Sequence, residues 1–155
     1  MSGQKQFGKY LLLKKIAHGG MAEIFLAKLP GAAGFEKELV IKKILPQWSA
    51  NQEFLAMLID EAKLAARLTH ANIVQVHELG EVSGEHFIAM EYVPGVNLRE
   101  FQEKVHGGGR KIPLEICLYI ISQVLEGLSY AHSKKGTDGR PLQIIHRDIS
   151  PQNIL

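Results

Sequence analysis

The densest cluster of chemistry-bearing side chains lies at the end of the sequence, where His146, Arg147, Asp148 and Asn153 fall within one short stretch. A carboxylate can accept or orient the proton of a hydroxyl nucleophile, and an amide oxygen can sit on a hard divalent cation. Upstream, Lys42 follows Leu39-Val40-Ile41, so a cation stands at the end of an apolar run. Such a lysine is either a solvated edge charge or a group aimed at an anion. Glu61 supplies a carboxylate further along, and Gly19-Gly20 offers a turn whose backbone N–H groups an anionic ligand can approach closely. The histidines His18, His70, His77, His86, His106 and His132 have no metal-ligand spacing with the single cysteine, Cys117. They read as structural or solvated groups, and Cys117 as part of a helix face.

The elements that must position these groups can be read from periodicity. Tyr10–Ile16, Glu23–Lys28 and Phe35–Lys43 are strand candidates, punctuated by Gly19-Gly20 and Pro30-Gly31. From Asn51 to Leu68 the period changes: Phe54, Leu55, Leu58, Ala62, Ala65 and Leu68 recur at helical spacing, which places Glu61 on an amphipathic helix. Ile73–Val76 and His86–Met90 read as two strands about a Ser83-Gly84 turn. After Pro94-Gly95 the chain turns helical. Leu98–Val105 is a short helix closed by Gly107-Gly108-Gly109, and Pro113 opens a long one to about Lys134. Its apolar face is Leu114, Cys117, Leu118, Ile121, Leu125, Leu128 and Ala131. Asp138-Gly139 marks a tight turn before Ile144-Ile145. Strands with one helix, followed by helices, imply an α+β layout in two lobes.

His146-Arg147-Asp148-Ile149-Ser150-Pro151-Gln152-Asn153 matches H-R-D-x-x-x-x-N, the catalytic loop of protein kinases. Five further segments precede it in kinase order. Leu39-Val40-Ile41-Lys42 resembles the V-A-I-K strand, Glu61 falls on the helix that resembles αC, and Leu68-Thr69-His70-Ala71-Asn72-Ile73-Val74 resembles the run after it. Met90-Glu91-Tyr92-Val93-Pro94-Gly95 resembles the hinge, and Ile16–Ile24 sits where the glycine-rich loop belongs. The resemblance covers nearly the whole chain and is closest to bacterial serine/threonine kinases of the eukaryotic-like type, with an ending similar to kinases of myxobacteria. It implies a two-lobe fold: an antiparallel sheet with αC over residues 1–91, a hinge at 92–96, and the start of a helical lobe over 97–155, up to the catalytic loop.

The resemblance also implies roles. ATP and Mg2+ are the expected cofactors, and the hydroxyl of a protein serine or threonine the expected acceptor. Asp148 would orient that hydroxyl, Lys42 would reach the α and β phosphates, Glu61 would pair with Lys42, and Asn153 would hold the metal. Ile16, Ile24 and Val40 would roof the adenine and Leu155 would floor it. Glu91 and Val93 would offer backbone groups to its edge, and Met90 would stand as gatekeeper. Gly19 and Gly20 would lie over the phosphates. His146 is expected to play a hydrogen-bonding role, not that of a general base, and Arg147 resembles the arginine that pairs with a phosphorylated activation loop.

Three departures stand out. Ala17 and Ala22 replace the outer glycines of the usual loop. Ser150 stands where most serine/threonine kinases carry a lysine that contacts the transferring phosphate. The sequence ends at Leu155, before any D-F-G or activation segment, so the chain alone is expected to be incompetent and loosely packed in its second half. A non-catalytic nucleotide-binding or interaction module, a pseudokinase, is the alternative; the presence of Lys42, Glu61, Asp148 and Asn153 argues against it.

The composition fits this reading. The chain has 155 residues, 46% hydrophobic and 22% charged, with a formal charge of only +2. That suits one globular domain and gives no reason to expect nucleic acid or an anionic membrane as a partner. One cysteine allows no internal disulfide. The first residues lack the apolar core of a signal peptide, and no apolar run is expected to reach the length of a membrane span. A cytoplasmic location is the expectation.

Overall fold

The computed structural model describes residues 4–155. They form two compact units, one running to Thr69 and resuming over Val74–Tyr92, the other comprising His70–Ile73 and Val93–Leu155.

The first unit is built on an antiparallel sheet: β1 (Lys5–Phe7), β2 (Tyr10–His18), β3 (Ala22–Pro30), β4 (Glu36–Ile44), β5 (Val76–Val82) and β6 (Glu85–Glu91), in spatial order β1-β2-β3-β4-β6-β5. A 3-10 turn at Ala32–Gly34 links β3 to β4, and the helices α1 (Pro46–Ser49) and α2 (Gln52–Ala65) follow. Because side chains alternate along a strand, the sheet has two distinct faces. One buries Phe7, Tyr10, Leu12, Ala27, Leu39, Ile41, Phe87 and Ala89. Phe87 meets Phe7 and Tyr10 edge to face, at centroid distances of 5.4 and 5.5 Å. The other buries Ala22, Ile44 and Ile88 against Leu58 and Ala62 of α2. This helix begins at Asn51, whose side chain accepts from the Phe54 amide at 3.0 Å and so satisfies one of the free N–H groups of the first turn.

Two strand expectations need correction. The strand expected at Ile73–Val76 lies instead at Val76–Val82, beginning where the expected one ended. The apolar Ile73 is used elsewhere, bridging to His70 in the second unit. The sequence reading also has no strand before Tyr10, yet Lys5–Phe7 pairs with β2 through a turn at Gly8, whose φ is +55°.

The second unit holds α3 (Leu98–Gly107) and α4 (Leu114–Ser133), and it ends in a 3-10 turn at Pro151–Asn153. Asn97 caps α3 by accepting from the Glu100 amide at 2.9 Å. Gly109 (φ +68°) then reverses the chain in a conformation that costs an L side chain. Asn72 donates to the Gln123 carbonyl of α4 at 3.0 Å, and the His70 ring lies 5.0 Å from that of Tyr130. Only Gly127 and Ala131 of α4 are buried, while Leu114, Leu118, Ile121 and Leu125 are each more than half exposed. The expectation that no run approaches a membrane span is also corrected. α4 has 20 residues and a mean hydropathy of 1.2, long and apolar enough by those two measures. Its apolar residues recur at helical spacing with Glu115, Gln123 and Glu126 between them, the pattern of an amphipathic domain helix.

Candidate active site

In the first unit, strand register gathers the nucleotide-site candidates. Ile24 pairs with Lys42 and Lys42 with Ile88; Leu26 pairs with Val40 and Val40 with Met90. Cross-strand partners share a sheet face. Ile24, Val40, Lys42 and Met90 therefore lie on one face, the face that also carries Ile44 and Ile88. Ile16 falls at an irregularity in the β2–β3 pairing and is exposed. Lys43, on the opposite face, is engaged: its ammonium contacts Glu85 at 2.9 Å and lies 5.8 Å from the Phe7 ring. Lys42 has no ion-pair partner among the described residues. Glu61 is exposed on α2, and no ion pair joins it to Lys42 in this conformation.

The glycine turn between β2 and β3 is closed by the Gly19 amide donating to the Ala22 carbonyl at 2.9 Å. Neither Gly19 nor Gly20 has positive φ. A methyl group at Gly20 would meet nothing within 4 Å, and one at Gly19 would make an ordinary 3.7 Å contact. The protein's own packing thus has no need of glycine at either place. The open side of the turn, with the Gly20 and Met21 amides unpartnered among the described residues, suits a polyphosphate approaching from outside. Ala22, in place of a glycine, buries its methyl beside Ile44. The sequence reading missed Trp48, whose indole N–H donates to the Gly20 carbonyl at 2.9 Å. The only signal was its standing as the one tryptophan, two residues after Pro46.

At the chain segments that follow, the Glu91 amide donates to the Gln75 carbonyl at 2.9 Å. The Val93 amide has no partner among the described residues. Leu155 is 62% exposed.

In the second unit the catalytic-loop candidates form a small hydrogen-bonded knot. The Asn153 amide group donates to the Asp148 carboxylate at 2.8 Å and to the Asp148 carbonyl at 3.1 Å. Committing the NH2 in this way leaves the Asn153 side-chain oxygen as a free acceptor beside an exposed carboxylate. The His146 ring Nδ1 accepts from the Asp148 amide at 3.3 Å, a structural use of the ring and not a basic one. Arg147 is left-handed (φ 65°), a conformation that costs a non-glycine residue about 1–2 kcal/mol and is held here by the knot on either side of it. The Leu98 amide at the start of α3 donates to the Ile154 carbonyl at 2.8 Å, tying the loop's end to that helix.

These donors fit the expected cofactors. Magnesium usually takes one or two protein oxygens and completes its shell with phosphate and water. The free Asn153 side-chain oxygen would supply one such ligand, and no cluster of three acidic, histidine or cysteine ligands occurs among the described residues.

A model of the protein kinase domain matches residues 10–155. The chain is 47% identical over 151 residues to the tyrosine-protein kinase MasK of Myxococcus xanthus, covering 96% of this chain and 23% of that protein. It is 35% identical over 153 residues to the serine/threonine-protein kinase PrkC of Bacillus subtilis, covering 99% and 21%. The chain thus spans less than a quarter of the length of these relatives. Among solved structures, the kinase domain of Mycobacterium tuberculosis PknI superposes with a TM-score of 0.74 at 29% identity, over 99% of this chain and 56% of that one. With the loop motif, the lysine strand and the sheet order all in kinase sequence, this chain belongs to the protein kinase domain family and has the kinase fold.

Proposed function

We propose that the protein carrying this chain transfers the γ-phosphoryl group of ATP to serine or threonine hydroxyls of a protein substrate. The observation that carries the reading is the Asp148–Asn153 knot, in which one residue presents a carboxylate and the other a free amide oxygen. ATP with Mg2+ supplies the electrophilic phosphorus and neutralises part of the phosphate charge. The protein's own contribution is positioning. Lys42, unpaired on its sheet face, holds the α and β phosphates. The Gly19–Gly20 turn cradles them with backbone N–H groups. Ile24 and Val40 cover one face of the adenine, and the Glu91 carbonyl and Val93 amide meet its edge. Asp148 orients the acceptor hydroxyl and takes its proton, and Asn153 keeps that carboxylate from turning away. Glu61, on the exposed side of α2, is the carboxylate that would pair with Lys42.

A second reading, tyrosine as the acceptor, is favoured by two observations: the 47% identical relative is named a tyrosine-protein kinase, and Ser150 stands in place of the usual lysine. The relatives at 35% and 34% identity are named serine/threonine kinases. Phosphoamino-acid analysis of the full-length protein after incubation with labelled ATP separates the two. Phosphoserine and phosphothreonine are expected; phosphotyrosine alone would transfer the assignment to the second reading.

A further inference from the structure

Two consecutive carbonyls of the glycine turn are held from outside the turn. The Trp48 indole N–H donates to Gly20 at 2.9 Å, and the Leu45 amide donates to Met21 at 3.0 Å. Both donors belong to the short connection between β4 and α2. Trp48 is itself fixed, half-buried against the cluster of Ala22, Ile44, Leu58, Ala62 and Ile88 with its ring 4.8 Å from that of Phe54. A trans peptide is planar, with its C=O and the following N–H pointing in opposite directions. Pinning the Gly20 carbonyl toward Trp48 therefore points the Met21 N–H the opposite way within the peptide plane, away from Trp48. That N–H has no partner among the described residues, and no protein atom lies within 4 Å of a Cβ built on Gly20. The connection pulls on the carbonyls and leaves the amides displayed.

We propose that Trp48 is a positioning residue for nucleotide phosphates: its indole N–H holds the Gly20–Met21 peptide with the amide displayed to the polyphosphate. This rests on the assignment of the turn as the phosphate cradle. Trp48 does not touch the nucleotide; it replaces the order that flanking glycines would leave to chance, since a free glycine turn samples many conformations.

The test is Trp48→Phe in the full-length protein, which keeps an aromatic ring against Phe54 and removes the donor. Affinity is measured by equilibrium titration with Mg·ATP and, separately, with adenosine, which has no phosphates. Loss of one hydrogen bond of ordinary net strength predicts an ATP affinity about three- to tenfold weaker. Adenosine affinity should be unchanged, which also reports that the variant is folded. The KM for ATP should rise with it, while the KM for the protein substrate stays put. In the parent, the fluorescence component that disappears in Trp48→Phe should shift on adding Mg·ATP and not on adding adenosine. Equal ATP affinity in parent and variant would overturn the proposal. So would equal weakening toward ATP and adenosine, which is the mark of general destabilisation. A parent that binds adenosine but gains nothing from the phosphates would instead overturn the cradle assignment itself.

Discussion

Lys42 and Lys43 are neighbours with different fates, because successive strand residues face opposite sides of the sheet. Lys43 is occupied by Glu85 and the Phe7 ring, whereas Lys42 shares a face with Ile24, Val40 and Met90 and is unpaired. In the full-length protein, Lys42→Met should lower phosphotransfer by about two to three orders of magnitude with little change in unfolding temperature. Lys43→Met should do the reverse, costing stability while leaving turnover near the parent's. Steady-state kinetics and thermal unfolding of the pair would check both. Asp148→Asn should reduce turnover by about 10²–10⁴-fold while ATP affinity holds, because it removes a proton acceptor and no phosphate ligand. A second residue-scale effect concerns pH. The buried Tyr10 hydroxyl donates to Glu78, and Lys9 contacts the same carboxylate at 2.6 Å. Burial, then the hydrogen bond to Glu78 and its charge, push the Tyr10 pKa well above its usual 10.0. Burial pushes Glu78 up as well, but the Lys9 and Tyr10 hydrogen bonds outweigh it and hold the carboxyl below 4.5. A raised tyrosine pKa contributes stability that is present below pH 10 and lost as pH rises beyond it. A depressed carboxyl contributes stability that is present above pH 4.5 and lost as pH falls through its folded value. Glu78→Gln should flatten the acid limb of the stability–pH curve and weaken the alkaline one, as followed by urea unfolding.

Elements are held together at a few tight contacts. In β5, a Cβ at Gly80 would lie 2.7 Å from the Phe87 ring, which is only 2% exposed and packed between Phe7 and Tyr10. Gly80→Ala must displace that ring and should destabilise the first unit by about 1–3 kcal/mol, read from urea unfolding. In the second unit, the His70–Ile73 segment rests on α4 where Gly127 leaves room. A Cβ there would stand 3.1 Å from the Asn72 carbonyl, and the Asn72 side chain already caps the Gln123 carbonyl. Gly127→Val should push the segment off the helix and break that bond, lowering the second unit's unfolding transition while leaving the first unit's unchanged. These positions were invisible as contacts in the sequence. The helical spacing around Leu58 and Ala62 was legible because a buried stripe needs that spacing. The polar, glycine-bearing run of β5 was not, because its partner strand supplies much of its burial.

The 155-residue chain divides its burial unevenly. The first unit has two packed sheet faces, whereas α4 presents Leu114, Leu118, Ile121 and Leu125 at 52–68% exposure. A fully buried aliphatic side chain contributes roughly 1.5–3 kcal/mol, so this face forgoes stabilisation comparable to a small domain's whole margin of about 5–15 kcal/mol. As a 155-residue polypeptide it should bind a hydrophobic dye and be cut first in its second half, near Gly107–Gly109 or Lys134–Lys135. One sharp unfolding transition with uniform protease resistance would contradict this.

The sequence by itself determined the chemistry and its order along the chain. Spacing within His146–Asn153, the lysine at the end of Leu39-Val40-Ile41, and the helical stripe around Glu61 are local properties, fixed by periodicity and by which side chains can hold a proton, a phosphate or a cation. Tertiary structure decided what those groups touch. It set the register that gathers Ile24, Val40, Lys42 and Met90 on one face, and it engaged Lys43 while leaving Lys42 free. It left Glu61 exposed and apart from Lys42, drew Ile73 into the second unit, and placed Trp48 against the Gly20 carbonyl. Each of these depends on pairing between segments distant in the chain, where the free energy of a contact is set by both partners and neither carries its signature alone.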